Sequence, residues 1–436
     1  MTKVALVNHG CSKNLVDSEL MLGMLSDAGI EITLDETKAD IVIVNTCSFI
    51  HDAETESVAS ILEMIKADKK VIITGCLPQK YKEELKEAIP EAIAMLGTTD
   101  LKKIVEVVKR IDNDDEDFLY EIADKPAYIY PENIERQQIT VGASSYIKIA
   151  DGCNYHCGYC IIPQLRGEYH SRPMENIVDE ARKLGQKGVS EIVLIAQDTT
   201  SYGKDIYGKP SLAELLYKLN EIEEINWIRI MYTFPSLLCD DLLDAIASCK
   251  KVVKYIDMPL QHSHPDILKA MRRPVMDYRE LIKKIREKIS GVAIRTAFIV
   301  GYPGETEECF EDLYNFVNDM RFDKMGVFEF SKERNTVAYS LPHQVNAKYK
   351  KQRKDKLMKL QQKISKEINE SFIGKEIPCI IEAITQEGTV IARSYRDAPE
   401  IDGLVYIETE RLLVPGDIEN VKITCADEYD LYGAVE

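Results

Sequence analysis

Residues 146–160 read Tyr-Ile-Lys-Ile-Ala-Asp-Gly-Cys-Asn-Tyr-His-Cys-Gly-Tyr-Cys, from Tyr146 to Cys160. The stretch Tyr146–Ala150 has the short apolar character of a buried strand, and Asp151-Gly152 turns the chain. Three cysteines follow at the spacing C-x3-C-x2-C: Cys153, Cys157 and Cys160. Three thiolates on one tight loop can hold three irons of a 4Fe–4S cluster and leave the fourth iron open. A structural zinc site needs four protein ligands. His156 lies inside the loop between two of the cysteines, where it cannot easily turn to the same ion. Free thiols are the plainer alternative. Because the loop follows a strand, it belongs at the carboxyl edge of a sheet, where parallel folds place their active sites.

Downstream, the same strand–helix alternation continues to about residue 335. Its further strand candidates are Glu191–Ala196, Trp227–Met231, Val253–Met258, Ala293–Val300 and Gly326–Phe330. Six such units in succession predict a parallel sheet curled into a partial barrel. Upstream, residues 3 to about 110 alternate in the same way, with strands Val4–Val7, Ile41–Asn45 and Val71–Thr74. Between them, Leu20, Met21, Met24, Leu25 and Ala28, and then Val58, Ile61, Leu62 and Ile65, recur at helical spacing. Cys11, Cys47 and Cys76 each stand close behind one of these strands. Strands of a parallel sheet end at one edge, so the three thiols can converge there and suggest a second iron–sulfur cluster. The alternative is three buried core cysteines.

Residues 112–138 begin acidic and carry Pro126 and Pro131, and a linker is expected over 119–138. One lysine-rich helix is expected over 343–372, its charges read as a solvated face. Beyond it, short apolar runs (Ile377–Ile381, Thr389–Ala392, Leu404–Ile407, Asn420–Thr424) separated by Asp402-Gly403 and Pro415-Gly416 predict a small antiparallel β-barrel. The fold class is therefore α/β: an N-terminal parallel-sheet domain (1–118), a linker (119–138), a central partial (β/α)6 barrel (139–372) and a C-terminal small antiparallel barrel (373–436).

A chain of 436 residues accommodates two or three domains. Eleven cysteines, an odd number, without a secretory pattern at the start, point to metal or redox chemistry in a reducing cytoplasm. No apolar run reaches the length of a membrane span. The net charge is −18. Residues 375–436 hold five basic residues against fourteen acidic ones, a net −9. Such a barrel repels phosphate and suits a basic partner.

The C-x3-C-x-aromatic-C loop resembles the motif of the radical S-adenosylmethionine (SAM) superfamily. In that superfamily the open iron chelates SAM, and electron transfer yields a 5′-deoxyadenosyl radical. The resemblance implies that Tyr159 packs beside the adenine. It implies further SAM contacts at later strand ends: Gln197 and Asp198, Gln261 and Ser263, Arg295 and Thr296, and Gly301, Gly304 and Glu305 of Gly301-Tyr-Pro-Gly-Glu305.

Two three-cysteine sets followed by a TRAM-type barrel resemble the methylthiotransferases over nearly the whole chain. This resemblance implies two 4Fe–4S clusters, two SAM molecules per turnover and an external electron donor such as a flavodoxin or ferredoxin. One branch of that family modifies a tRNA adenosine; the other modifies an aspartate β-carbon in small-subunit ribosomal protein number twelve. Gly10-Cys-Ser-Lys-Asn-Leu-Val-Asp-Ser-Glu19, Cys160-Ile-Ile-Pro-Gln-Leu-Arg-Gly167, Ser171-Arg-Pro173, Asp257-Met-Pro-Leu-Gln-His262, Arg272-Arg-Pro274 and Asp397-Ala-Pro-Glu-Ile-Asp-Gly403 are similar to the second branch. Ser12, where proline is expected, and His9 before Gly10 depart from it. The acidic barrel agrees with a basic ribosomal protein as partner, reached without a membrane and with nucleic acid only through the ribosome. Asp397, Glu400 and Asp402 are its candidate contacts.

Overall fold

The computed structural model describes residues 2–48, 51–113, 117–127, 130, 134–139 and 142–435. The chain forms two compact units. One comprises Met1–Val141, Ala150–Tyr155 and Cys160–His170; the other comprises Gly142–Ile149, His156–Tyr159 and Ser171–Glu436.

The first unit is built on a six-stranded parallel sheet. Its strands are β1 (Lys3–Asn8), β2 (Glu31–Ile32), β3 (Ile41–Thr46), β4 (Lys70–Gly75), β5 (Ala94–Leu96) and β6 (Leu119–Glu121), in the order β2-β1-β3-β4-β5-β6. Side chains alternate between its two faces. Val4, Ile41, Ile43 and Ile72 pack with Met21, Met24 and Leu25 of helix Ser12–Asp27 and with Ile104 and Val108 of helix Ile104–Asp112. Ala5, Val42, Val44, Val71 and Ile73 pack with Ile61 and Met64 of helix His51–Lys66 on the other face. Continuous β-branched runs are what a sheet covered on both faces requires.

Two elements here differ from the sequence reading. Residues 119–121, placed in the linker, are the edge strand β6, paired parallel with β5. Residues 134–139 return over helix Ser12–Asp27, where Arg136 and Glu19, both buried, pair at 2.9 Å and Gln137 donates its N–H to the Glu19 carbonyl. Polar composition suggested a solvated linker; a buried ion pair and backbone pairing hold the segment instead. The acidic positions 114–116 and Pro131 lie outside the described residues.

Short strands β8 (Ala150–Asp151) and β9 (His170–Ser171) bracket the cysteine loop in the chain. The second unit carries β7 (Ser144–Lys148), β10 (Glu191–Ile195), β11 (Trp227–Ile230), β12 (Tyr255–Asp257), β13 (Ala293–Val300) and β14 (Lys324–Glu329). They pair as β11-β10-β7 and β12-β13-β14, all parallel, and a parallel bridge between Ile228 and Val252 continues the order from one sheet to the next. The six predicted strands are thus the six of an open barrel. Helix Ala347–Glu370 starts at Asn346, whose side chain accepts from the Lys348 N–H. Its lysine-rich face is not wholly solvated: Arg353 is buried against Glu305, 3.1 Å away.

The same unit ends in a closed barrel of β15 (Glu376–Ile384), β16 (Val390–Ser394), β17 (Val405–Glu408), β18 (Ile418–Ala426) and β19 (Leu431–Ala434), in the order β15-β16-β17-β19-β18. Four of its pairings are antiparallel, but β17 and β19 run parallel, which corrects the all-antiparallel expectation. Ile377, Ile381, Val390, Val405, Val421 and Ile423 fill its interior.

Candidate functional site

In the first unit, β1, β3 and β4 are neighbours, with Asn8, Asn45 and Thr74 in register. Cys11, Cys47 and Cys76 therefore leave one edge of the sheet. Gly75 makes the exit at β4 possible: its φ is +96°, and a Cβ there would lie 2.4 Å from Asn45 Oδ1. Cys76 is buried, Cys47 half-buried and Cys11 exposed, and no cysteine of the chain is in a disulfide. Burial pushes the Cys76 thiol up to about 11; Arg166 pulls against it, while Cys11 and Cys47 push the same way as burial.

A buried polar layer supports this edge. Asn14 Nδ2 donates to Asn45 Oδ1 at 3.1 Å and to the Thr46 carbonyl at 3.0 Å; Asn45 Nδ2 donates back to the Asn14 carbonyl at 2.9 Å and to Ser18 Oγ at 2.8 Å. The Cys11 thiol donates to Asn14 Oδ1 at 3.5 Å. The same oxygen accepts from Arg166 Nη2 at 2.7 Å, and Arg166 Nη1 meets Asp17 at 2.7 Å and Asp151 at 2.9 Å. Sequence reasoning quoted Arg166 and Asp17 only as motif letters and gave them no role. The available signal was a charged residue closing a short apolar helix, Ile162–Arg166.

In this unit Cys153 donates its N–H to the Gly167 carbonyl at 3.1 Å. In the second unit, Gly158, between Cys157 and Tyr159, donates to the Met271 carbonyl and accepts from the Ala338 N–H, both at 2.8 Å. A Cβ on Gly158 would lie 2.5 Å from the Tyr302 hydroxyl, so the position takes no larger residue without a shift. Tyr159 packs against the cluster of Ile267, Met271, Tyr302 and Phe330. Arg273 is buried, lies 4.3 Å over the Phe234 ring and donates to the Pro259 carbonyl at 2.6 Å. Burial works against its charge; Tyr159 and Cys157 favour it.

The donor sets suit iron–sulfur clusters. Among the described residues no three His, Cys, Asp or Glu side chains close on a single ion. A 4Fe–4S cluster gives each thiolate its own iron.

The expected SAM contacts fall into two classes. Several have their polar atoms committed to the fold. Asp198 is buried and accepts from the Thr200 N–H at 2.9 Å and from Ser201 Oγ at 2.5 Å. Ser263 donates to Asp312 at 2.5 Å, and Thr296 donates to the Met258 carbonyl at 2.9 Å. Glu305 accepts from the N–H groups of Gly301 and Tyr302 and pairs with Arg353; burial outweighs these and pushes its carboxyl up to about 7. Others stay at strand ends. Gln197 is half-buried just past β10, and Gly301 and Gly304 have φ of +75° and +87°. Gln261 adopts φ +73°, a conformation that costs a non-glycine residue about 1–2 kcal/mol and recurs at functional sites. Arg295, the third residue of β13, belongs with the committed class: it pairs with Asp257 at 2.8 Å.

The expected barrel contacts need correction. Asp397 is buried and pairs with Lys324 at 2.5 Å. The Asp402 side chain is 5% exposed, 3.6 Å from Arg295 and 2.7 Å from the Tyr255 hydroxyl. Both fasten the barrel to β12, β13 and β14 inside the second unit. Glu400 alone of the three is exposed.

Three family models match: Radical SAM superfamily over residues 147–317, Uncharacterized protein family UPF0004 over 3–97, and TRAM domain over 373–435. The ribosomal protein uS12 methylthiotransferase RimO of Microcystis aeruginosa is 46% identical, covering 99% of this chain and 98% of its own. Those of Rippkaea orientalis and Lachnoclostridium phytofermentans are 47% and 45% identical, covering 99% and 100% of this chain and 95% and 100% of theirs. Among solved structures, the radical SAM methyltransferase TsrM of Kitasatospora setae is similar with a TM-score of 0.57 at 16% identity, covering 75% of this chain and 73% of its own. That last likeness shows shared fold only.

Proposed function

The chain belongs to the ribosomal protein uS12 methylthiotransferases, a family of radical SAM transferases, and we propose that it adds a methylthio group to the β-carbon of an aspartate in that small-subunit protein. The observation that carries the reading is identity near one half with relatives of that name over the full length of both chains. Support for the chemistry comes from two three-thiol sets, one at the end of β1, β3 and β4 and one in the loop after β8.

Cys153, Cys157 and Cys160 would hold one 4Fe–4S cluster, and Cys11, Cys47 and Cys76 a second. When bound, the first supplies with SAM a carbon radical able to take a hydrogen from a carbon that a base cannot readily deprotonate, and the second supplies the sulfur that a second SAM methylates. The protein's own part is placement. Gly158 fixes the loop at Cys157, and Tyr159 offers a ring for the adenine. Gln197, Gln261, Gly301 and Gly304 stand past strand ends as candidates for SAM, with Arg295 near the start of β13 as a further one. Asp198, Ser263, Thr296 and Glu305 shape those strand ends. An external flavodoxin or ferredoxin supplies electrons. A cytoplasmic location follows from the ribosomal substrate, and among the described residues no helix is long and apolar enough to cross a membrane.

The test is an anaerobic assay of reconstituted, reduced enzyme with SAM, offering uS12 and bulk tRNA in parallel and reading products by mass spectrometry. A methylthio mass gain on an aspartate of uS12, and none on tRNA, is expected. A methylthio adenosine, or SAM cleavage with neither product, overturns the substrate assignment.

A further inference from the structure

Four residues that carry no role in the reading above form a buried network that reaches the Cys76 sulfur through Arg166. Arg166, Asp17, Asn14 and Asp151 are 2%, 2%, 1% and 0% exposed. Arg166 Nη1 donates to Asp17 Oδ2 at 2.7 Å and to Asp151 Oδ2 at 2.9 Å. Arg166 Nη2 donates to Asn14 Oδ1 at 2.7 Å and lies 4.0 Å from Cys76 Sγ. Each terminal nitrogen has two hydrogens, so both arms of the fork are committed and its orientation is determined. Leu165 of the helix that bears Arg166, and Ile161 at its N-cap, also pack against Cys76. The short helix thus sets an apolar cover and one directed positive charge on the same thiol. A lysine, with one compact ammonium on a flexible stem, cannot hold two carboxylates and reach the asparagine and sulfur together.

We propose that Arg166 is a positioning residue of the N-terminal thiol set: held by Asp17 and Asp151, it aims a charge-assisted hydrogen bond at the Cys76 sulfur and raises the reduction potential of the cluster bound there. The inference rests on the two-cluster reading. Hydrogen bonds to the sulfurs, net local charge and burial are the factors that set such potentials. A cation beside the sulfur favours the reduced form, which carries one more electron. Asp17 and Asp151 limit that effect by offsetting the guanidinium charge. The surroundings also join the two cysteine sets along the chain. Asp151 lies two residues before Cys153, Arg166 lies six after Cys160, and Gly167, next to Arg166, accepts the Cys153 N–H.

The experiment uses the full chain carrying Cys153→Ala, Cys157→Ala and Cys160→Ala, so that any cluster is the N-terminal one. After anaerobic reconstitution with iron and sulfide, iron content and the midpoint potential are measured, the latter by a redox titration followed by electron paramagnetic resonance. Arg166→Gln is expected to retain iron and move the midpoint to more negative potential. Arg166→Lys moves it less in the same direction. Asp17→Asn, which keeps the shape and leaves more of the guanidinium charge uncompensated, moves it to more positive potential and carries the test if Arg166→Gln does not fold. Opposite shifts in the Gln and Asn variants are what a purely structural role does not produce. An unchanged midpoint in the variants that fold, or a negative shift with Asp17→Asn, overturns the role of Arg166. A parent that binds no iron overturns the two-cluster reading, and the inference with it.

Discussion

Single thiols of the two sets have different surroundings. Cys157 lies beside buried Arg273 in the second unit, while Cys76 lies beside buried Arg166 in the first. If each set serves one half-reaction, single substitutions separate them. Cys157→Ala is expected to abolish SAM cleavage, read as loss of 5′-deoxyadenosine by chromatography and mass spectrometry. Cys47→Ala is expected to keep SAM cleavage and lose the methylthio product; full product from that variant refutes the two-set assignment. Cys153, Cys157 and Cys160 stand out in the sequence by their fixed spacing. Arg166 does not. Its partners Asp151 and Asp17 lie 15 and 149 residues away along the chain, and no local pattern encodes such a meeting.

Pairs of elements are fastened by buried charges that sequence patterning left unread. Glu191 on β10 pairs with Arg229 on β11 at 2.8 Å and with Arg393 on β16, which also pairs with Glu382 at 2.6 Å. All of Glu191, Arg229 and Arg393 are buried. Burial alone pushes the Glu191 carboxyl up, but Arg229 and Arg393 outweigh it and hold it down at about 2. Its folded pKa is below the ordinary value of 4.5, so its contribution to stability is complete above pH 4.5 and lost as pH falls toward 2. Glu191→Gln leaves two buried arginines without this carboxylate and is expected to cost about 3–5 kcal/mol near neutral pH. Urea denaturation of both proteins across that pH range checks the size and the sign: the variant's deficit shrinks in acid. A deficit independent of pH refutes the charge account. Strand positions were readable from β-branched runs. Which charged residues turn inward was not, because Glu191 and Arg393 look like solvated strand ends until the partner strand is in place.

Across the whole molecule, acidic charge is concentrated toward the C-terminal barrel. Residues 375–436 carry a net −9, and two of their five basic residues, Arg393 and Arg396, are buried in ion pairs. Asp397 and Asp402 are buried as well, so the net −9 stays on the outer surface of the barrel, where Glu400, Glu408 and Glu410 are exposed. Rim charges of this kind act mainly on encounter with an oppositely charged partner. Replacing those three glutamates by lysine is expected to raise KM for uS12 about tenfold, with kcat and SAM cleavage without uS12 little changed, and to flatten the salt dependence of KM. Steady-state kinetics at two ionic strengths checks it; an unchanged KM places the docking surface elsewhere.

The sequence by itself determined the α/β alternation, the small barrel and its acidity. These rest on local periodicity, residue chemistry and charge counts, all of which survive without coordinates. The tertiary structure alone decided that 119–121 completes the sheet, that β17 and β19 run parallel, and that Asp397 and Asp402 anchor the barrel rather than face a partner. It alone brought Arg166 to Cys76. The physical reason is shared by all four: a carboxylate, a guanidinium or a short strand is ambiguous by type, and its role is settled only by which distant group satisfies it once water is excluded.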